Sequence, residues 1–131
     1  MMGTNGVRLH GENPAKILVS HNETGENLNM INNFAEKQTD ANLAGMTPVI
    51  EDRIAEDPFL APQQLMWRND DLEEVAEILR DMDGPVVDLQ DVMRKPVAPE
   101  FLLPDGLHPN LEGQQAIAVA LVERLAEGRG R

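Results

Sequence analysis

The chain is poor in several residue types, and each shortage excludes a class of protein. It has no cysteine among its 131 residues, which excludes disulfides and thiolate metal sites. Lys and Arg together number 11 against 23 Asp and Glu, so the formal net charge is -12. Because like charges repel, we do not expect so acidic a chain to bind nucleic acid or an anionic membrane.

Long apolar runs are also missing. A membrane-spanning helix needs roughly 20 consecutive apolar residues, and no stretch of the chain comes near that length. The first six residues lack the charged start and apolar run of a signal peptide. We therefore expect no membrane span, a single domain, and a chain that is cytoplasmic as given or a mature fragment.

Apolar spacing predicts two strands joined by a helix. Residues 42–49 have the composition of a short buried strand that ends at Pro48, and residues 86–89 have that of a second strand. Between them, a capping box at 70–73 precedes a helix that closes at 83–85. Its apolar face comprises Leu72, Val75, Ile78, Leu79 and Met82. Strand, helix and strand in this order predict a parallel βαβ unit and therefore an α/β fold.

Two further helices are expected at the ends of the chain. Asn13 and Pro14 predict a helix start, and helical apolar spacing continues from Ile17 to Ala35. Gly25 is expected to break it, so the first helix is predicted from about residue 25 to 38. The last follows Asn110 as its N-cap and ends in a frayed tail at 128–131. Its predicted sheet-facing residues are Ala116, Ile117, Ala120, Leu121 and Leu125.

The segment 50–68 has no clear period and is expected to be a long surface loop. Its apolar side chains are Phe59, Leu60, Leu65, Met66 and Trp67. They allow two interpretations, an acyl-binding pocket or a seal over the edge of the core. The sequence leaves both open.

The densest chemistry lies in Pro104-Asp105-Gly106-Leu107-His108-Pro109-Asn110. An acid three residues before a histidine, in a turn of Gly and Pro, can place its carboxylate beside the imidazole. Such a pair is the acid and base portion of a nucleophilic triad. Ligands of open α/β sheets bind at the carboxyl ends of the strands, where we expect this loop, Thr47 and Asp88 to meet.

Residues 105–110, followed by a Glu-Gly pair and an Ala/Ile-rich helix, resemble the last conserved block of the SGNH/GDSL ester hydrolases. Gly3-Thr4-Asn5 is similar to the block whose Asn helps to form the oxyanion hole, and 46–48 and 86–89 resemble two of the family's strands. The resemblance implies a three-layer α/β/α, flavodoxin-like fold with a parallel sheet, truncated at its N-terminus. It also implies hydrolysis of a small-molecule ester without a cofactor.

Carried over by position, the resemblance makes His108 the general base, Asp105 its orienting acid and Asn5 an oxyanion donor. The family's Gly-Asp-Ser nucleophile block and its oxyanion glycine have no match here, and Gly6 stands where the family has Asp. Ser20 is the only serine and lacks the glycine-rich context of a nucleophile. His10 and His21 have no acid at a useful sequence spacing. We therefore expect the nucleophile to be absent from this chain.

Three functions remain open from the sequence. The chain is the C-terminal portion of an ester hydrolase, inactive in isolation, or a non-catalytic remnant that binds acyl or carbohydrate ligands. The third alternative is a metal-dependent hydrolase with Asp88, Asp105 and His108 as ligands, although their spacing matches no recognised metal motif. Missing strands would leave an unpaired sheet edge, so self-association through that edge is expected.

Overall fold

The structure is a computed structural model that describes residues 4–13, 15–37, 43–93 and 98–129. Its helices are α1 (His21–Glu36), α2 (Glu51–Glu56), α3 (Asn69–Arg80), α4 (Leu89–Val92) and α5 (Leu111–Arg129). Its strands are β1 (Leu9–His10), β2 (Leu43–Ala44), β3 (Leu65–Met66) and β4 (Val86–Val87). Single 3-10 turns occur at Ala61–Gln63 and Pro99–Phe101. The described residues are mostly helical, with 54% helix and 9% strand.

The predicted three-layer α/β/α, flavodoxin-like fold is wrong. In the described ranges, β1 pairs antiparallel with β3 and β2 pairs parallel with β4, each over two residues. Residues 45–50, most of which belong to the strand predicted at 42–49, have no regular secondary structure, and side chains take the hydrogen bonds of Met46 and Val49. The Asn69 side chain binds both backbone groups of Val49, and the Gln90 side chain donates to the Met46 carbonyl at 2.9 Å.

One part of the α/β prediction is present. β2 and β4 are parallel, with Leu43 opposite Val86 and Ala44 opposite Val87, and α3 lies between them in the chain. The strand predicted at 86–89 is thus confirmed at its first two residues, whereas Asp88 already caps α4. Self-association through a sheet edge stays a prediction, because a single chain does not test it.

Helix α1 begins four residues earlier than the sequence predicts. The Ser20 hydroxyl accepts a hydrogen bond from the Glu23 amide at 3.2 Å and so caps the helix at His21. Gly25 does not break it. A Cβ on Gly25 would lie 3.5 Å from Ile78 Cγ2, which places this part of α1 directly against α3. The predicted end at Gln38 lies outside the described residues.

Helix α3 forms where it was predicted, without the predicted capping box. It begins at Asn69, and Arg68 occupies the cap position with no side-chain hydrogen bond to the helix. Its buried face packs into one hydrophobic core. The core cluster contains Val7, Leu28, Met46, Val49, Ile54, Leu60, Trp67, Leu72, Val75, Leu79 and Leu107.

The segment 50–68 contains α2, a 3-10 turn and β3, rather than an irregular loop. Leu60 and Trp67 belong to the core, and Trp67 is only 3% exposed. Its indole Nε1 donates to the Thr4 carbonyl at 2.8 Å, which attaches the first described turn to the core. Leu60 and Trp67 therefore seal the core, whereas Phe59 is 74% exposed and does not. Met66 and Trp67 also line a cavity of about 240 Å³ that His108 does not line.

Helix α5 begins after Asn110, as predicted. The Asn110 side-chain oxygen accepts from the Gly113 amide at 3.0 Å, and its carbonyl accepts from the Gln114 amide at 2.9 Å. Ala116, Ile117, Ala120 and Leu121 are half-buried, but Leu125 is exposed, so its predicted contact with a sheet is wrong. The helix continues to Arg129, and 130–131 lie outside the described residues. No described helix is long and apolar enough to cross a bilayer.

Candidate acid–base site

The loop from Leu102 to Pro109 closes on itself before α5 begins. Leu102 and Pro109 form an antiparallel bridge, and the Leu103 amide donates to the His108 carbonyl at 2.8 Å. Gly106 has a φ of +73°, in the left-handed region that favours glycine. Its carbonyl accepts from the Ile50 amide at 2.9 Å, which fixes the loop to the start of α2.

Asp105 organises the inside of this loop with both of its carboxylate oxygens. Oδ1 accepts from the amides of Leu107 at 2.8 Å and His108 at 3.0 Å. Oδ2 lies 2.7 Å from Nδ1 of the His108 ring. The carboxylate therefore fixes the backbone turn and the ring orientation together, as the sequence predicted for this pair.

Electrostatics keep Asp105 ionised. Burial raises the pKa of this carboxyl group. The hydrogen bonds from the His108 and Leu107 amides and from the His108 ring together lower the pKa by more than burial raises it, so it lies below the ordinary value of 3.8. An ionised Oδ2 can only accept a hydrogen bond, so His108 Nδ1 must carry a proton and donate it in this hydrogen bond. Nε2 of the neutral ring then has a free lone pair. The His108 side chain is 65% exposed, so this base is accessible from solvent.

Asn5 is not connected to the pair by any hydrogen bond in the described part of the chain. It lies exposed in the turn at residues 4–7, where its carbonyl accepts from the Arg8 amide at 3.3 Å. Val7, the last residue of this turn, and Leu107, which precedes His108, belong to the same core cluster. The oxyanion role of Asn5 therefore stays a prediction, and Gly3 of its motif lies outside the described residues.

Ser20 is used structurally. Its hydroxyl caps α1, and it lines a cavity to which His21 contributes and His108 does not. The contacts of the described residues thus supply the base and its orienting acid but no serine beside them.

In the described part of the chain no hydrogen bond joins Thr47 or Asp88 to the 104–110 loop, so their meeting at one rim stays a prediction. Thr47 is buried, and Asp88 Oδ1 accepts from the Gln90 amide at 2.9 Å while Oδ2 binds Arg80 Nε at 2.5 Å. The carboxylates of Glu73 and Asp88 raise the pKa of Arg80. Among the described residues no group of three His, Asp or Glu side chains could hold a metal ion, so the metal-site alternative is wrong.

Sequence reasoning missed the acidic partners of His21. Its Nδ1 pairs with Glu74, and its Nε2 lies 3.8 Å from Asp71 Oδ1. Both acids lie on α3, three residues apart and therefore on one helix face. Only the packing of α1 on α3 brings them to the histidine, so the one available signal was their spacing.

The family resemblance rests on short sequence motifs. In the 105–110 block the structure contains the expected contact between the Asp105 carboxylate and the His108 ring. Membership of the SGNH/GDSL ester hydrolases stays a prediction. Comparison of the chain with protein-family models, curated proteins and solved structures finds no match.

Proposed function

We propose that Asp105 and His108 are the acid–base pair of an ester-hydrolysing site of the SGNH/GDSL kind that acts on a small-molecule ester. The observation that carries the proposal is the 2.7 Å contact between His108 Nδ1 and Asp105 Oδ2, made by a histidine side chain that is 65% exposed. The resemblance of the 105–110 block adds support. The three-layer fold is no part of the proposal.

The chemistry follows from the state of the imidazole. His108 Nε2 takes the proton of a hydroxyl group as that group attacks the ester carbonyl, and returns it to the leaving alcohol. Asp105 holds the ring in the required tautomer and stabilises the imidazolium that forms. A positioned general base contributes typically about 10²–10⁴ in rate. Asn5 is proposed to donate to the oxyanion.

The attacking hydroxyl is not that of Ser20, which is engaged at the α1 cap. We therefore propose that the nucleophile comes from outside these 131 residues. The chain alone is expected to show no acyl-serine chemistry, but its base should still accelerate attack by a hydroxyl that is added in solution.

Ethanolysis of p-nitrophenyl acetate by the full chain tests this. Ethanol supplies the hydroxyl, and formation of ethyl acetate reports acyl transfer to it. We expect His108→Ala to lower the ethanol-dependent rate about tenfold, which is less than the 10²–10⁴ typical of a positioned general base because the ring is largely exposed. Asp105→Asn should lower it less, because the base remains but its tautomer is no longer fixed.

Two matched variants separate this role from general imidazole reactivity. His10→Ala removes a histidine with no acid partner among the described contacts, and Ser20→Ala removes the single serine. Both should retain the ethanol-dependent rate once it is normalised to folded protein. Equal rates for the wild type and His108→Ala would refute the proposal.

A further inference from the structure

Helix α5 has apolar side chains on two opposite sides. Its inner side packs on the rest of the chain, and the half-buried residues there are Ala116, Ile117, Ala120 and Leu121. Its outer side faces solvent, with Leu111, Val119, Val122 and Leu125 between 49% and 69% exposed. A helix that is apolar all round is normally covered on all sides. The outer side of α5 is therefore a candidate surface for a partner.

Helix α3 shows that this chain also builds helix sides suited to water. The exposed residues of α3 are Asp70, Glu74, Glu77 and Arg80, and all four are charged. The outer side of α5 instead carries an apolar row, in which Leu111, Ala118 and Leu125 recur every seven residues and Val122 lies four residues after Ala118. We call this row, with Val119 beside it, the outer stripe. It extends about 21 Å along the helix axis, at about 1.5 Å per residue.

Acidic residues border the outer stripe. Glu112 lies seven residues before Val119 and Glu123 four residues after it, so these exposed acids share one flank of the stripe. Arg124, the one cation of α5 whose side chain the structure describes, is half-buried and pairs with Glu127 at 2.9 Å. A partner that covers the stripe therefore meets apolar side chains beside negative charge.

We propose that the outer stripe docks an amphipathic helix of another protein, with basic residues beside its apolar face. Apolar side chains at i, i+3, i+4 and i+7 of such a helix pack along the row of Leu111, Ala118 and Leu125. Its basic residues then lie beside Glu112 and Glu123, where charge complementarity fixes the register of the two helices. The proposal does not depend on the ester-hydrolysing site.

A second copy of this chain fits the outer stripe less well. Two chains with a formal net charge of -12 each repel one another. An antiparallel pair that sets Leu111 of one copy against Leu125 of the other also brings Glu112 close to Glu123 of the second copy. Like charges that face each other across an interface weaken it. The charge pattern thus favours a basic partner over self-association through α5.

Fluorescence anisotropy of the full chain with labelled peptides of about 18 residues, which as helices cover the length of the stripe, tests this. The probe is a designed helix with Leu on one face and Lys elsewhere. One control has Glu in place of each Lys, and the other scrambles the Leu and Lys positions so that no apolar face forms. We expect the Lys probe to bind with a Kd of about 50 µM and each control at least about tenfold more weakly. Absence of saturable binding of the probe would overturn the proposal, as would a control that binds as tightly.

Matched variants locate the surface that binds the probe. Val122→Gln should raise the Kd at least about fivefold, whereas Phe34→Gln, at a comparably exposed position of α1, should leave it unchanged. Glu123→Gln should raise the Kd about two- to threefold at low salt, whereas Glu77→Gln on α3 should have no effect. All four side chains are exposed, so the variants should fold, and thermal unfolding verifies this. Wild-type affinity in Val122→Gln would refute the assignment to α5.

Analytical ultracentrifugation distinguishes the second copy from a different partner. We expect the wild type and Val122→Gln to sediment identically. A wild-type dimer that Val122→Gln converts to a monomer would overturn the proposal, because a second copy would then cover the stripe.

Discussion

Asn69 binds Val49 through both of its side-chain polar atoms. Its Oδ1 accepts from the Val49 amide at 2.9 Å, and its Nδ2 donates to the Val49 carbonyl at 3.0 Å. Val49 is buried, so no water replaces either partner. These two hydrogen bonds join the first residue of α3 to the irregular segment that follows β2. They satisfy the backbone of Val49 as a neighbouring strand would.

Asn69→Ala should therefore destabilise the chain by about 2 kcal/mol, because two buried backbone groups lose their partners. Urea unfolding measures the change. Asn33→Ala, on the exposed side of α1, is the matched control and should change stability by less than about 0.5 kcal/mol. Equal effects of the two substitutions would show that the Val49 contacts contribute nothing.

Gly106→Ala should destabilise the chain by about 2–4 kcal/mol. The residue has a φ of +73°, and a Cβ there would lie 2.6 Å from the Ile50 carbonyl oxygen and 2.7 Å from Arg53 Cβ. Since the loop must move to relieve these contacts, the His108-dependent rate should fall as well.

Gly25→Ala provides the matched glycine substitution. Its Cβ would meet Ile78 at 3.5 Å, an ordinary contact, and the residue is helical. We expect a gain of about 0.5–1 kcal/mol in the free energy of unfolding. A loss at Gly25 as large as that at Gly106 would mean that backbone conformation does not explain the difference.

Asp105 should stabilise the chain at neutral pH and not in acid. Its folded pKa lies below its ordinary value of 3.8, so the contribution is complete above pH 3.8 and is lost as pH falls through the folded pKa. Asp105→Asn is therefore expected to melt below the wild type at neutral pH, with the difference shrinking once pH drops below 3.8. A difference that is independent of pH would contradict an ionic role.

Asp71 should have the opposite effect on stability and destabilise the folded chain at neutral pH. Burial raises its folded pKa above 3.8, so ionisation costs the folded state free energy as pH rises through that raised value. Asp71→Asn is expected to melt above the wild type at neutral pH and to match it in acid. Asp70→Asn serves as the control for removal of one negative charge. A lower melting temperature for Asp71→Asn would show that its pairing with His21 outweighs its burial.

The sequence predicts the acid–base loop well because the loop's contacts are local. Asp105, Leu107 and His108 lie within three residues of one another, and turn chemistry with an Asn cap is sufficient to place them. The cap of α5 and the apolar face of α3 follow from the same short-range rules.

Contacts between distant residues defeat the same reasoning. The predicted strand at 42–49 forms a ladder only at β2, because Asn69 and Gln90, 20 and 44 residues from their partners, take hydrogen bonds that a neighbouring strand would receive. His21 acquires its acids only through the packing of α1 on α3. Spacing along the chain places Asp71 and Glu74 on one helix face but does not show that His21 packs against it, nor that Asn69 and Gln90 reach residues 46–49. The sheet was therefore overestimated and the His21 cluster was missed.

The closure of the loop between Leu102 and Pro109 makes the contact between Asp105 and His108 a local one, while Leu107 attaches the same loop to the core. The distance between Asp105 and His108 is set by a few consecutive residues, whereas the direction in which the pair faces depends on Gly106 and its attachment to Ile50. Substitutions elsewhere in the core can accordingly change the direction in which the pair faces without breaking the contact between its two side chains. Because these contacts lie within a few consecutive residues, the segment could be transferred to another protein, by recombination or by design, with its Asp–His contact retained.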